Sequence, residues 1–308
     1  MSPLRQALAD YLSLRRALGF KLDRAEKLLG QFVGYLEQRH AGTVTIEHAL
    51  AWATSPADAA ACWRAIRLSV VRGFAAHLRT TNPATEVPPP GLIPYGQDRA
   101  TPYLYSDADI HAMVMAAASL PHRLSAATYP ALISLLAATG MRIGEAIALD
   151  TSDLDDSRGV LTVRDGKLGK SRLLPLHPTS VAGLRQYLDQ RDHLRPVPAS
   201  DALFISVIGT RLFHSSVHRT FQHLIRRAGI SARSARCRPR IHDLRHSFAV
   251  ASLLDWYRRG EDVQAMLPRL STYLGHVDPN DTYWYLSAAP ELLALACDRL
   301  DTSLGVAL

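Results

Sequence analysis

The first 79 residues carry apolar positions at helical spacing and predict a bundle of helices. The apolar positions of the first two predicted helices are Leu8, Tyr11, Leu12 and Leu18, then Leu28, Leu29, Phe32 and Leu36. Gly19 suits the end of the first helix. Thr45 and Ser55 are the predicted N-caps of two further helices, and Asp58 completes a capping box with Ser55.

The last helix of this bundle has a basic side. Its predicted inward positions are Ile66, Val70, Phe74 and Leu78. On that register Arg64, Arg67 and Arg72 lie mainly on the outer side. A polyanionic partner could then contact them.

The periodicity stops in NPATEVPPPGLIPYGQDRATP, residues 82–102. This stretch is rich in proline and predicts an extended linker between a helical domain, 1–81, and a second domain, 103–308. Ser106 and Asp109 form a second predicted capping box, which opens the second domain.

The second domain predicts mainly helices around one small sheet. YPALISLLAATGMRIGEAIAL is a buried helix broken near Gly140. GVLTVRDGKLGKSRLLPL alternates apolar and polar positions around a turn, which favours an antiparallel hairpin. Helices follow around 181–192, 215–228 and 243–259, with two short ones near the C-terminus. The expected fold class is mainly α with a small antiparallel β-sheet.

Composition narrows the class of protein. The net charge of the 308 residues is +7, which favours a polyanionic partner, although many basic proteins bind none. The three cysteines are far apart and lack metal-ligand spacing, which argues against a disulfide framework or a zinc site. The N-terminus does not resemble a signal peptide, and no apolar run is long enough for a bilayer. We expect a cytoplasmic protein.

Two short blocks place cations near predicted turns. In TGMRIGEA, Arg142 follows the break at Gly140, and Glu145 lies one helical turn on. They form either a plain ion pair or a pair in which Glu145 orients Arg142 towards a phosphate. In DGKLGKSR, Lys167 and Lys170 lie at the hairpin turn, where they are either solvated or able to reach into a groove.

A third block, RRAGISARSARCRPRIHDLRHSF, is dense in arginine. His242 and Arg245 share a face at a predicted helix start, where an anion is favoured. A basic solvated loop is the alternative. A metal site at His242, Asp243 and His246 is a poor interpretation, because the sequence offers no complementary ligand cluster.

A fourth block, LGHVDPNDTYWYL, contains His276 and two tyrosines. Asp278 and Pro279 predict the start of a short helix. Tyr283 and Tyr285 then fall on different faces of it, so one packs and the other can be free. The pattern alone does not say which.

Taken in order, these four blocks resemble those of the tyrosine recombinase/integrase family, which includes phage integrases and Xer-type recombinases. The quoted boxes are TGMRIGEA, GKLGKSRLLPL, HDLRHSFA and LGH followed by a tyrosine, across about residues 101–300. The helical N-terminal region is similar, in general terms only, to the family's core-binding domain. The resemblance implies a two-domain clamp around DNA.

The resemblance also implies a role for each matching residue. Arg142 and Arg245 would hold the scissile phosphate, and Glu145 would help to order the site. Lys167 would be the general acid, with Lys170 at a less specific position. His242 would assist proton transfer, and His276 would donate a hydrogen bond to the phosphate. The family spacing places the nucleophile at Tyr285 and leaves Tyr283 either to packing or to supporting the site from behind.

The implied activity is site-specific cutting and rejoining of double-stranded DNA without metal, ATP or another cofactor, in the nucleoid. We expect backbone-phosphate contacts from Arg64, Arg67, Arg72, Lys170, Arg236, Arg238 and Arg240. The C-terminal helix would either dock on a neighbouring protomer in a dimer or tetramer or pack on its own domain. Two alternatives stay open: a topoisomerase IB-like strand passer, and a DNA-binding accessory protein that relies on partner recombinases.

Overall fold

The computed structural model describes residues 2–95, 100–164, 171–276, 278, 280–283 and 285. The chain divides into two compact units, Met1–Arg99 and Ala100–Leu308. The division falls inside the proline-rich segment 82–102. Over the described residues, no helix is both long and apolar enough to cross a membrane.

The first unit is helical, as its periodicity predicts. Its described helices are α1 Pro3–Ala17, α2 Asp23–Gln38, α3 Ile46–Thr54 and α4 Ala61–Leu78. Leu29, Phe32 and Phe74 are completely buried between them. The Thr45 side chain accepts a hydrogen bond from the backbone N–H of His48 and caps α3.

Two details of this unit differ from the prediction. Leu18 follows the end of α1 and is 63% exposed, outside the apolar face. Ser55 ends α3 instead of starting α4, because its hydroxyl donates to the carbonyl of Trp52. Helix α4 begins after Ala60, which provides no side-chain cap.

The predicted outer position of Arg67 is wrong. Helix α4 buries Leu68 and Val71, whereas Ile66 is only half-buried, so the buried face is rotated towards Arg67. The Arg67 guanidinium lies 3.7 Å from the centroid of the Trp52 ring and donates to the Trp52 carbonyl at 2.6 Å. A cation stacked on an aromatic face can be buried in this way.

Arg64 and Arg72 are half-buried and bind backbone carbonyls. Arg64 donates to Ala57. Arg72 donates to Pro88 at 2.8 Å and to Pro89 at 3.1 Å. The first half of the proline-rich segment is therefore held against the first unit.

The second unit contains most of the helices and the sheet. Its described helices are α5 Asp107–Ala118, α6 Arg123–Thr139, α7 Ile143–Ala148, α8 Pro178–Leu194, α9 His214–Arg227, α10 Asp243–Arg258, α11 Val263–Leu274 and α12 Asn280–Tyr283. The predicted capping box of Ser106 and Asp109 opens α5. The mainly helical fold class with a small antiparallel sheet is confirmed.

The sheet has three antiparallel strands in the order β1-β2-β3, namely Leu154–Asp155, Val160–Val163 and Arg172–Pro175. Leu161 pairs with Leu174, and Val163 pairs with Arg172. The hairpin tip, 165–170, lies outside the described residues, and with it Lys167 and Lys170.

A glycine at the end of α6 directs the chain towards the site. Gly140 has a φ of +59°, and a Cβ there would lie 2.5 Å from Cδ1 of Phe248 in α10. Only glycine allows this close approach in the left-handed region. The turn places Arg142 directly before α7 and brings the Gly140 carbonyl to the start of α10.

Candidate active site

Arg245 stands at the centre of the site and is almost completely buried, with 2% exposure. Its Nη1 donates to the carbonyl of Gly140 at 2.9 Å, and its Nη2 donates to the carbonyl of Leu274 at 2.8 Å. The guanidinium therefore joins the end of α6, the start of α10 and the end of α11. Three blocks that are distant in sequence meet at this side chain.

Arg142 lies close enough to Arg245 for its charge to act on that guanidinium. Burial lowers the pKa of Arg245 to about 10, and the charge of Arg142 contributes to that shift. The group is still protonated near pH 7. Two guanidinium groups held this close form a site that favours an anion with two acceptor oxygens.

Glu145 holds Arg142 in place through the predicted ion pair. Arg142 donates from its backbone N–H to Oε2 at 3.0 Å and from Nη1 to Oε1 at 2.9 Å. Burial would raise the pKa of Glu145, but hydrogen bonds from Arg172 and Arg142 and their charges leave it lowered. Glu145 is therefore a carboxylate at neutral pH.

The two tyrosines lie in different environments, as the pattern predicts, but the packing role that the resemblance implies for Tyr283 is wrong. Tyr283, at the end of α12, is 52% exposed, whereas Tyr285 is 2% exposed. The Tyr285 side chain is hydrogen-bonded to Arg245. Its ring lies 5.3 Å from the ring of His246 and 6.0 Å from that of His276, between centroids. The packed tyrosine is the one inside the cation site.

Three histidines surround Arg245 and Tyr285. The rings of His242 and His246 meet edge to face with centroids 4.9 Å apart. Burial lowers the pKa of His246 to about 3 and those of His242 and His276 to about 4, and Arg245 contributes to each shift. All three imidazoles are therefore neutral near pH 7, and each has an unprotonated ring nitrogen.

Thr282 fixes the orientation of His276. The Thr282 side chain is 1% exposed, and its Oγ1 lies 2.7 Å from Nδ1 of His276. The backbone N–H of His276 donates to the carbonyl of Ser271 at 2.9 Å. With Nδ1 engaged, His276 presents Nε2 as its other hydrogen-bonding atom.

Of the three arginines of the arginine-rich loop that are predicted to contact DNA, one is structural and two are exposed. Arg240 donates to both oxygens of Asp243, which is completely buried. Burial raises the pKa of Asp243, and the pairing with Arg240 opposes that rise. Arg236 and Arg238 are exposed. Within the described part of the chain, no group of three or more His, Cys, Asp or Glu residues is placed to hold a metal ion.

The structure brings together Arg142, Glu145, His242, Arg245, His276 and Tyr285. Sequence reasoning overlooked Arg172, His246 and Thr282 as parts of the same site. His246 lies one turn after His242 in HDLRHSF, and Arg172 lies in GKSRLLPL, so both belong to the blocks that carry the family resemblance. Thr282 gives no separate signal, because its contact depends on how the chain turns after α11.

The arrangement can bind a phosphodiester and attack it. Two arginines lie side by side, a tyrosine hydroxyl lies against one of them, and neutral imidazoles border the tyrosine. Burial raises the pKa of Tyr285, and the charges of Arg245 and Arg142 oppose that rise. A phosphate between the two arginines would meet a nucleophile from the same chain.

Comparisons with known proteins agree with this chemistry. A profile described as the phage integrase family matches residues 106–291. The integrase/recombinase y4rB of Sinorhizobium fredii (strain NBRC 101917 / NGR234) is 44% identical over 307 residues, which are 98% of either chain. The tyrosine recombinase XerC of Chlamydia trachomatis serovar L2 is 28% identical over 73% of this chain and 67% of that protein.

Solved structures share the fold. The crystal structure of XerA recombinase matches with a TM-score of 0.53 and 23% identity over 99% of this chain and 100% of that one. The Tn1549 transposon integrase in complex with circular intermediate DNA matches with a TM-score of 0.64 and 16% identity, covering 96% and 99%. The protein belongs to the phage integrase family and is a site-specific tyrosine recombinase.

Proposed function

We propose that the protein is the recombinase or integrase of a mobile element, which cuts and rejoins DNA strands through a 3′-phosphotyrosyl intermediate. The observation that carries the proposal is the position of Tyr285, buried and hydrogen-bonded to Arg245 in a site that also contains Arg142. The likeness to an integrase/recombinase of Sinorhizobium fredii supports the biological role.

In the proposed reaction Arg142 and Arg245 bind the non-bridging oxygens of the scissile phosphate. Their charges offset the negative charge that repels a nucleophile from a phosphodiester and that grows in the transition state. The arginines thus do the work that a metal ion does in other nucleases. Glu145 keeps Arg142 oriented through two hydrogen bonds.

The Tyr285 oxygen forms a bond to phosphorus, and the bond from phosphorus to the 5′-oxygen breaks. The phenol loses its proton during attack, and a neutral imidazole, assigned to His242 from the family resemblance, accepts it. Lys167 donates a proton to the leaving 5′-oxygen in this proposal. That assignment rests on the family resemblance, because Lys167 lies outside the described residues.

The covalent bond to Tyr285 conserves most of the energy of the phosphodiester that was broken. A 5′-hydroxyl can therefore attack it without ATP, and a hydroxyl from another duplex would complete strand exchange. Double-stranded DNA is the proposed partner, held by both units as a clamp. Oligomers on DNA, joined by the C-terminal segment, belong to the same proposal, as does a location at the nucleoid.

The direct test is trapping of the covalent intermediate. Nicked duplexes from the flanks of the gene lose a short fragment with a free 5′-hydroxyl after cleavage. Without that hydroxyl the strand cannot be rejoined, so the adduct accumulates and can be seen on a denaturing gel. We expect an adduct with wild type and with Tyr283→Phe and none with Tyr285→Phe. Tyr283 is the matched control, because it is the exposed tyrosine two positions away.

Other outcomes would contradict specific parts of the proposal. An adduct lost only in Tyr283→Phe would assign the nucleophile to the exposed tyrosine. Recombination that persists in Tyr285→Phe cells would indicate an accessory role beside partner recombinases. Relaxation of any supercoiled plasmid without recombination would indicate a strand-passing activity instead.

A further inference from the structure

One carboxylate in the site is shared by two arginines. Arg172 binds Glu145 with both ends of its guanidinium, Nη1 to Oε1 at 3.1 Å and Nη2 to Oε2 at 2.8 Å. Arg142 reaches the same Oε1 with Nη1 at 2.9 Å. The Glu145 side chain is 9% exposed. The three side chains together therefore carry a net positive charge.

Arg172 is fixed from three directions. It begins β3, its Nε donates to the carbonyl of Tyr273 at 2.9 Å, and its side chain is 13% exposed. A Cβ at Gly275, which has a φ of +70°, would lie 2.8 Å from Nη1 of Arg172. The guanidinium therefore connects the sheet, α7 and the end of α11.

The same stretch of backbone receives the two arginines proposed to bind phosphate. Arg142 donates to the carbonyl of Gly275 at 3.2 Å, and Arg245 donates to that of Leu274 at 2.8 Å. Arg172 thus contacts both supports of Arg142, namely Glu145 and the backbone of 273–275. A shift of Arg172 would move both supports together.

We infer that Arg172 is a positioning residue for strand cleavage. By binding both oxygens of Glu145, it leaves Arg142 only a single-nitrogen side-chain contact with that carboxylate. Arg142 is then not neutralised by a two-nitrogen ion pair, and its charge is directed to the scissile phosphate. The inference rests on the proposed function, in which Arg142 binds that phosphate, and it gives Arg172 no contact with DNA.

Loss of Arg172 has a specific consequence under this assignment. Glu145 is buried and charged, so it needs compensation by a cation. Without Arg172, Arg142 is the cation that can provide it, and its guanidinium turns towards the carboxylate. A plain structural ion pair would instead affect stability and leave the charge at the phosphate unchanged.

The test compares two substrates in Arg172→Met, which removes the charge but keeps an unbranched chain. One nicked duplex carries the normal scissile phosphodiester, and the other carries an uncharged methylphosphonate at the same position. On the phosphodiester we expect adduct formation to slow by about 10- to 100-fold, the range for a misplaced catalytic group. On the methylphosphonate, which needs less charge compensation, the deficit relative to wild type should shrink by about tenfold.

Arg164→Met is the matched control. Arg164 follows β2 in the same sheet and pairs with Asp153, a carboxylate that is as buried as Glu145 but lies outside the site. It should form adduct at the wild-type rate. Arg172→Lys, which keeps the charge but not the two-nitrogen geometry, should fall between Arg172→Met and wild type. It also carries the test if Arg172→Met does not fold.

The outcomes separate this inference from the proposed function. An unchanged rate in Arg172→Met, or an equal deficit on both substrates, would overturn the positioning role. Affinity for DNA that falls in parallel with the rate would do the same. Failure of wild type and Arg164→Met to form any adduct would contradict the proposed function itself.

Discussion

At the scale of single residues, the site depends on side chains that orient other side chains. Thr282 is the clearest case, because its hydroxyl engages Nδ1 of His276. Sequence patterns predicted His276 but not its support. A threonine inside a four-residue helix carries no mark that separates it from a surface residue, and only the turn after α11 makes the contact.

Replacement of Thr282 by valine should slow adduct formation by about five- to tenfold, since one hydrogen bond contributes about 1 kcal/mol. Affinity for the same DNA, measured by gel shift, should not change. Thr272→Val is the control, because its hydroxyl donates to a helix carbonyl on an exposed surface. Equal slowing in both variants would show that His276 does not depend on Thr282.

The buried histidines predict a loss of stability in acid. Burial holds the pKa of His246 near 3, below the ordinary value of 6.5. Between these values the unfolded chain binds the proton and the folded chain does not, so stability falls as pH drops below about 6.5. His242 and His276 contribute in the same direction.

Urea unfolding of wild type and His246→Phe at pH 7.5 and pH 5 measures this effect. The free energy of unfolding should decrease less between the two pH values in His246→Phe, which has no proton to gain. His40→Phe provides the control, because His40 is exposed. An identical pH dependence in wild type and His246→Phe would show that His246 can be protonated in the folded state.

At the scale of elements, the sequence predicted the type and order of helices and strands better than it predicted where a helix ends or which of its faces is buried. The capping box at Ser106, the break at Gly140 and the antiparallel hairpin are confirmed. The prediction for Ser55 failed, because a serine with an acid three residues later has the pattern of a helix start. The same pattern can occur at the end of a helix, as it does here. Arg67 was misplaced because its partner, the ring of Trp52, lies in another helix.

The turn at Gly140, after α6, depends on the absence of a side chain. Gly140→Ala should lower the free energy of unfolding by at least about 1–2 kcal/mol, the cost of a left-handed conformation, because the Cβ would also meet Phe248. Gly144→Ala, at an exposed position of α7 with open space around it, should be neutral or stabilising by about 0.5–1 kcal/mol. Urea unfolding compares them, and equal effects would mean that the turn tolerates a Cβ.

At the scale of the whole molecule, the net charge of +7 favours a polyanionic partner. The structure shows which of the predicted arginines are exposed and could contact such a partner. Arg67 is buried under Trp52, and Arg64 and Arg72 bind carbonyls. Arg236 and Arg238 are exposed in the loop before α10. Composition counts all of these equally, because burial is set by contacts that a sequence does not record. The exposed pair is therefore the stronger candidate for DNA.

The salt dependence of binding tests that choice. Each phosphate contact that is lost should reduce the slope of log Kobs against log salt by about 1, because fewer counterions are released. We expect this reduction for Arg236→Ala and for Arg238→Ala. Arg67→Ala should leave the slope unchanged and lower the melting temperature, because it removes a buried contact with Trp52.

Arg158→Ala separates a local contact from the general field of the protein. Arg158 is exposed, and its side chain is paired only loosely with Asp155, at 4.0 Å. Arg158→Ala and Arg236→Ala each remove one positive charge, so they change the net charge equally. A general field would make the two slopes fall together. A reduction confined to Arg236→Ala and Arg238→Ala would place the phosphate contacts on the loop that leads into His242 and Arg245.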